Sequence, residues 1–228
     1  MTFYQQQHQQ HQQQKQQAII ELNNLTVDAL RQQQFYNAIT SSSSALKCYK
    51  AIQQSTTNEL LSCSFFAAPE DYCIDQSMLL SEPNPNATGH STNSSTFIYD
   101  LGIPVPPGAD ATIVATILIF NLALAYQLCG NQQQYDTKML LKAKQLYELA
   151  HKGLDVDQNV HFHFAIINNI AVIEHQIGNT AASKDNFEYL MSLFMLLVDR
   201  GTNSVGLRHM NGFLVNLPST SVNAAHAA

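Results

Sequence analysis

Three stretches of this chain repeat apolar residues every three or four positions, and a short break splits each into two segments of helical length. A helix with one apolar stripe must bury it against a neighbour, and a short break makes the sequence neighbour the spatial one. In the first stretch Ile19, Leu22, Leu25, Ala29 and Leu30 share a face, Arg31–Gln34 interrupts, and Phe35, Ala38, Ile39, Ala45, Leu46 and Tyr49 form a second face. The second stretch runs from Ala111 to Cys129, is closed by Gly130, and resumes at Met139–Leu154 with Leu140, Ala143, Leu146, Tyr147, Ala150 and Leu154 aligned. The third comprises Phe162–Ile177 and Ala182–Val198, hinged at Gly178. The spacing predicts an all-α fold of about three antiparallel helical hairpins over residues 18–200.

The remaining sequence is of another kind. Residues 1–17 are Gln-rich and carry no apolar face to bury, so they are expected to be a disordered tail or a fraying helical extension. Residues of about 52–110 are rich in Ser, Thr, Asn, Pro and acidic residues and read as a long loop insertion. Two apolar patches inside it, Leu60–Phe66 and Phe97–Val105, are expected to lie back on the helices as short extended segments. The tail, 201–228, holds one apolar patch, Phe213–Leu217 followed by Pro218, placed to cap the last helices or to lie in a groove as an internal ligand.

Aligning the three stretches exposes a repeat. Leu22-x-x-Leu25-Thr26-x-x-Ala29, Ile119-x-x-Leu122-Ala123-x-x-Tyr126 and Ile167-x-x-Ile170-Ala171-x-x-Glu174 are followed four residues later by Gln33, Gly130 and Gly178. Their partner segments carry Ala38-x-x-x-Ser42-x-x-Ala45, Ala143-x-x-x-Tyr147-x-x-Ala150 and Ser183-x-x-x-Phe187-x-x-Leu190. This pattern of a large residue, a Leu–small pair, a Gly turn and then Ala and an aromatic resembles the tetratricopeptide signature. The match covers about half the chain. It departs at Gln33 in the Gly place, at Ser42 and Glu174 in aromatic places, and in the extra residues Asn131–Met139.

The resemblance implies a concave groove in which Asn side chains grip the backbone of an extended peptide from a partner protein. Asn24, Asn121 and Asn169 occupy the same place in the three units, and Asn168, Gln127 and His175 complete the candidate groove set. An amide suits the task, since it donates and accepts and so reads a peptide bond whatever the side chain. The other role open to these Asn residues is bonding neighbouring helix backbone or capping a turn. The adjoining places hold Ile20, Ile117, Ala165, Asn23, Phe120 and Asn168, none of them basic, which argues against a carboxylate clamp and for a neutral or mildly apolar peptide.

Charge and motifs limit the rest. Net charge is −6 and no Lys or Arg occurs between Lys50 and Lys138, the opposite of what a phosphate-backbone binder needs. Cys48, Cys63, Cys73 and Cys129 show no zinc spacing, and the N-terminus lacks the pattern of an export signal. Reduced thiols in an intracellular compartment, cytoplasmic or nuclear, are the expectation, with Asn86 and Asn93 as chance matches to the glycosylation pattern. No phosphate loop, nucleophile elbow or HExxH is present, and Glu174 is the one acid in an apolar helix segment, expected to meet His175 or Lys184 at the surface. The reading is therefore a non-catalytic scaffold without cofactor or metal. The rival readings are an enzyme of unrecognised type and membrane attachment through residues 111–129, which are apolar enough for a hydropathy window but lack flanking cations.

Overall fold

The computed structural model describes residues 3–56, 97–154, 159–199 and 211–216, and among them every regular element is helical. The elements are α1 (Phe3–Arg31), α2 (Phe35–Thr56), α3 (Ala111–Gln132), α4 (Thr137–Lys152), α5 (Val160–Gln176), α6 (Thr180–Asp199) and a 3-10 helix, Asn211–Asn216. Each α-helix packs on the next in sequence, and α1 also touches α3. The patch Leu60–Phe66, the glycosylation-pattern matches at Asn86 and Asn93, and Leu217 with Pro218 lie outside the described residues.

The turns have local causes. At the end of α1, Gln33 takes φ 58°, and the Gln34 and Gln33 amides bond back to the carbonyls of Ala29 (2.8 Å) and Leu30 (3.0 Å). Gly178 repeats this after α5 at φ 86°, with Asn179 on Glu174 (2.8 Å) and Gly178 on His175 (3.1 Å). Both are left-handed stops that satisfy otherwise orphaned helix carbonyls. The middle turn differs from expectation. Helix α3 runs through Gly130 to Gln132, and Gln134 and Tyr135 supply the positive φ. Gly130 serves closeness instead: a Cβ there would stand 3.1 Å from that of Met139 and 3.3 Å from the Asp136 carbonyl oxygen. Asp110 and Asp136 then cap α3 and α4, accepting from Ile113 and from Lys138 and Met139.

Small residues set the spacing between pairs. Ala38, Ser42 and Ala45 on α2 are wholly buried, and Ser42 donates to the Leu118 carbonyl of α3 at 3.1 Å. Helix α3 lies inside, buried almost continuously from Ala115 to Gly130 between α2 and α4. It is the one described helix long and apolar enough to cross a membrane, and 78% of its most apolar window is buried in this protein. Its apolar girth thus has a packing cause. On α5 every residue from His163 to Glu174 is buried.

The expectations fare unevenly. Of the two held for residues 5–17, a disordered tail and a helical extension, the second describes what is seen. These residues continue α1 as helix, because Gln is a good helix former and the folded part of α1 supplies the costly first turns. The insertion begins later than read from composition, since α2 reaches Thr56, and Phe97–Val105 lies back on the helices as expected. Glu174 does not meet His175 or Lys184 at the surface. It is 3% exposed, its Oε1 is 2.8 Å from Lys144 Nζ, and its Oε2 accepts from Asn179 at 3.0 Å. In the tail, Phe213 is fully buried, with its ring against Phe164 of α5 and Phe194 of α6.

Candidate peptide groove

An extended segment, Phe97–Val105, lies across α1, α3 and α5, and asparagine side chains hold its backbone. Asn169 accepts from the Tyr99 amide (3.0 Å) and donates to the Tyr99 carbonyl (3.0 Å). Asn121 does the same to Ile103, accepting at 2.8 Å and donating at 2.7 Å, and Asn23 donates to that carbonyl at 3.0 Å. At the other end Asn216 accepts from the Phe97 amide and donates to its carbonyl, both at 2.7 Å, while Asn168 donates to the same oxygen at 3.2 Å. Residues 97, 99 and 103 differ by even numbers. In an extended chain their amides and carbonyls therefore project from one edge, which is why single side-chain amides can grip both groups of one residue.

The amides are themselves oriented. Asn121 donates to Asn23 at 2.8 Å, Asn168 to Asn169 at 3.2 Å and Asn216 to Asn168 at 2.9 Å. Asn169 also donates to the Tyr147 hydroxyl at 3.0 Å, which in turn donates to Gln127 Oε1 at 2.9 Å. Burial holds the Tyr147 hydroxyl far above its ordinary pKa, so it stays protonated and keeps both roles. This connectivity assigns oxygen and nitrogen at each amide, because the flipped form would set donors against donors.

Side chains of the segment are engaged unevenly. Val105 is buried with Ile19, Tyr49 and Ile117. Ile98, Tyr99 and Ile103 pack half-buried on the core, and burial pushes the Tyr99 hydroxyl up to about 12. Leu101 stays 73% exposed. Gly102 passes so close to α1 that a Cβ would stand 2.9 Å from Leu30 Cδ1 and 3.3 Å from Val27 Cα.

Of the residues singled out from the sequence, Asn121, Asn168 and Asn169 converge here. Gln127 does not reach the segment and acts through Tyr147. His175 is exposed at the end of α5, away from these amides. Asn24 is exposed as well, and its neighbour Asn23 is the buried one. Among the described residues nothing buries the side of α1 that carries Asn24 and Leu25, which is 57% exposed. In α1 the adjoining place, held by Asn23 there and by Asn168 in α5, is the one that reaches the segment. Asn216 was not among the singled-out residues. Its one sequence signal was membership of the patch that also holds Phe213. No family model, no curated protein and no solved structure matches this chain.

A second polar cluster links α4, α5 and α6. His151 Nε2 lies 2.9 Å from His163 Nδ1, and His163 Nε2 lies 2.9 Å from the Tyr189 hydroxyl. Burial, then the neighbouring His151, lowers His163 to about 4, and burial lowers His151 also. The folded state thus favours neutral imidazole, so the unfolded chain takes up a proton first as pH falls below about 6.5. Stability is full above that value, declines as pH falls towards 4, and changes no further below it on this account. Between pH 7 and 5 the expected loss is about 2 kcal/mol. Urea midpoints should fall over that window, and His163→Gln should flatten most of the slope. A slope of equal size in the variant would rule out His163 as its source.

Proposed function

We propose that this protein is a non-catalytic interaction scaffold of tetratricopeptide type, a helical-hairpin array whose asparagine-lined face takes an extended peptide segment of another protein. The observation that carries the reading is the paired grip of Asn121 on Ile103 and of Asn169 on Tyr99, which reads main chain and ignores side chains. Repeat architecture is supported by burial. The aligned positions Ala38, Ser42, Ala45, Ala143, Tyr147, Ala150, Ser183, Phe187 and Leu190 all lie in the interior, and Gln33 and Gly178 make the same turn. The lack of Lys and Arg between Lys50 and Lys138 suits an uncharged peptide. An intracellular setting fits the buried, free Cys129 thiol.

The reading is tested by affinity capture from native extract, comparing the wild-type chain with Asn121→Ala and Asn169→Ala at a temperature where both keep their helical circular dichroism. The groove variants are expected to lose the captured partner, whereas the exposed Lys184→Ala keeps it. Undiminished capture by the groove variants would place binding elsewhere.

A further inference from the structure

Resting on that reading, we infer that Phe97–Val105 is a displaceable internal ligand: it occupies the peptide site in cis and displays the chemistry of the partner that replaces it. The segment is held as a ligand is held. Its backbone is gripped along one edge by Asn23, Asn121, Asn168, Asn169 and Asn216, while its apolar side chains are mostly only half-buried. Only Val105 among its residues is buried, whereas the helices beneath bury unbroken runs of residues. The opposite side is open, with Asp100, Leu101 and Pro104 exposed. Breaking these bonds frees donors and acceptors that water or another peptide can satisfy, and it opens no helix.

The same contacts state what fits. Main-chain recognition fixes an extended conformation. The half-buried Tyr99 and Ile103 and the buried Val105 call for an aromatic, a β-branched residue four places on, and a second β-branched residue two beyond it. Gly102 sits so close to α1 that a side chain there would force Leu30 and Val27 to shift. The partner is therefore an extended segment of pattern aromatic–x–x–Gly–β-branched–x–β-branched, in which the x positions, held here by the exposed Asp100, Leu101 and Pro104, carry no requirement. Four residues, 106–109, separate Val105 from the α3 cap Asp110, so the cis segment acts at an effective concentration in the millimolar range. A free peptide with the same contacts competes poorly until the cis segment is weakened.

The test uses the full chain and a fluorescently labelled nonapeptide with the sequence of residues 97–105. Gly102→Val is introduced in the chain and not in the peptide, which loosens the cis segment and leaves every groove asparagine in place. The labelled peptide should bind this variant at least tenfold more tightly than it binds the wild type. Adding Asn121→Ala, or placing Val at the glycine of the peptide, should remove that gain. Equal affinity for variant and wild type means the segment does not compete, and the inference fails while the scaffold reading stands. No peptide binding, together with partner capture that depends on Asn121 and Asn169, likewise overturns the inference alone; loss of both ends the scaffold reading too. Amide exchange in the unmodified chain supplies the arm that needs no variant. The Tyr99 and Ile103 amides should exchange at least a hundredfold faster than those of Leu118 and Leu124 in α3. Exchange at the α3 rate would make the segment a permanent part of the core and overturn the inference.

Discussion

Lys144→Met is expected to destabilise the fold by about 3–5 kcal/mol, a loss out of proportion to a lysine whose side chain is 26% exposed. The cause is the partner. Glu174 is 3% exposed, at a position where the tetratricopeptide pattern that the sequence resembles calls for a ring. Its charge is tolerated because Lys144 reaches it from α4 at 2.8 Å and Asn179 bonds its second oxygen at 3.0 Å. The Glu174 bond is also the largest cause raising the Lys144 ammonium above its ordinary pKa. Removing the ammonium leaves a buried carboxylate with Asn179 as its remaining neighbour to bond, and an uncompensated buried charge costs more than the pair contributes. The double variant Lys144→Met, Glu174→Gln should therefore recover most of the lost stability in urea unfolding at pH 7. Failure of the second change to rescue the first would show that Lys144 matters through its aliphatic stem and not through the pair.

Glu174 also marks the boundary of what sequence reasoning reaches. The helical pairs were legible because burial on one face imposes a 3.6-residue period, and five of the six helices begin within two residues of where that period starts. The exception is α1, whose Gln-rich first half has no apolar stripe to read. Asn121, Asn168 and Asn169 were legible because helices α3 and α5 are flanked on both sides, so that repeat position and environment coincide. Asn24 was singled out where its neighbour Asn23, read only as an adjoining place with Asn168, is the one that reaches the segment, because the Asn24 side of α1 faces solvent and the repeat pattern does not encode that. Asn216 and Lys144 belong to no shared motif with the groups they serve. Their partners, Phe97 and Glu174, lie 119 and 30 residues away in the chain, and only packing brings them together. At the end of the insertion the apolar patch Phe97–Val105 was legible as an extended segment lying on the helices, but the amides that hold it were not, because such a segment needs neither a helical period nor a strand partner.

The second large effect is expected at Asn169, and its control is Asn24. Asn169→Ala removes both bonds to Tyr99 and the donor to Tyr147, so the half-buried Tyr99 amide and carbonyl lose the amide that holds them. At about 1–3 kcal/mol for each stranded polar group, moderated by water at the open side of the segment, the loss should be about 2–4 kcal/mol. Asn24→Ala changes the same residue type in the aligned position of α1, and because that side chain is exposed the effect should stay within about 0.5 kcal/mol. Asn169→Asp discriminates further. A carboxylate still accepts from the Tyr99 amide but cannot donate to its carbonyl or to the Tyr147 hydroxyl, so it should be no milder than alanine. Urea midpoints for the three variants decide the matter. Asn24→Ala as damaging as Asn169→Ala would mean that α1 presents Asn24 and not Asn23 to the segment, and the asparagine row would have to be redrawn.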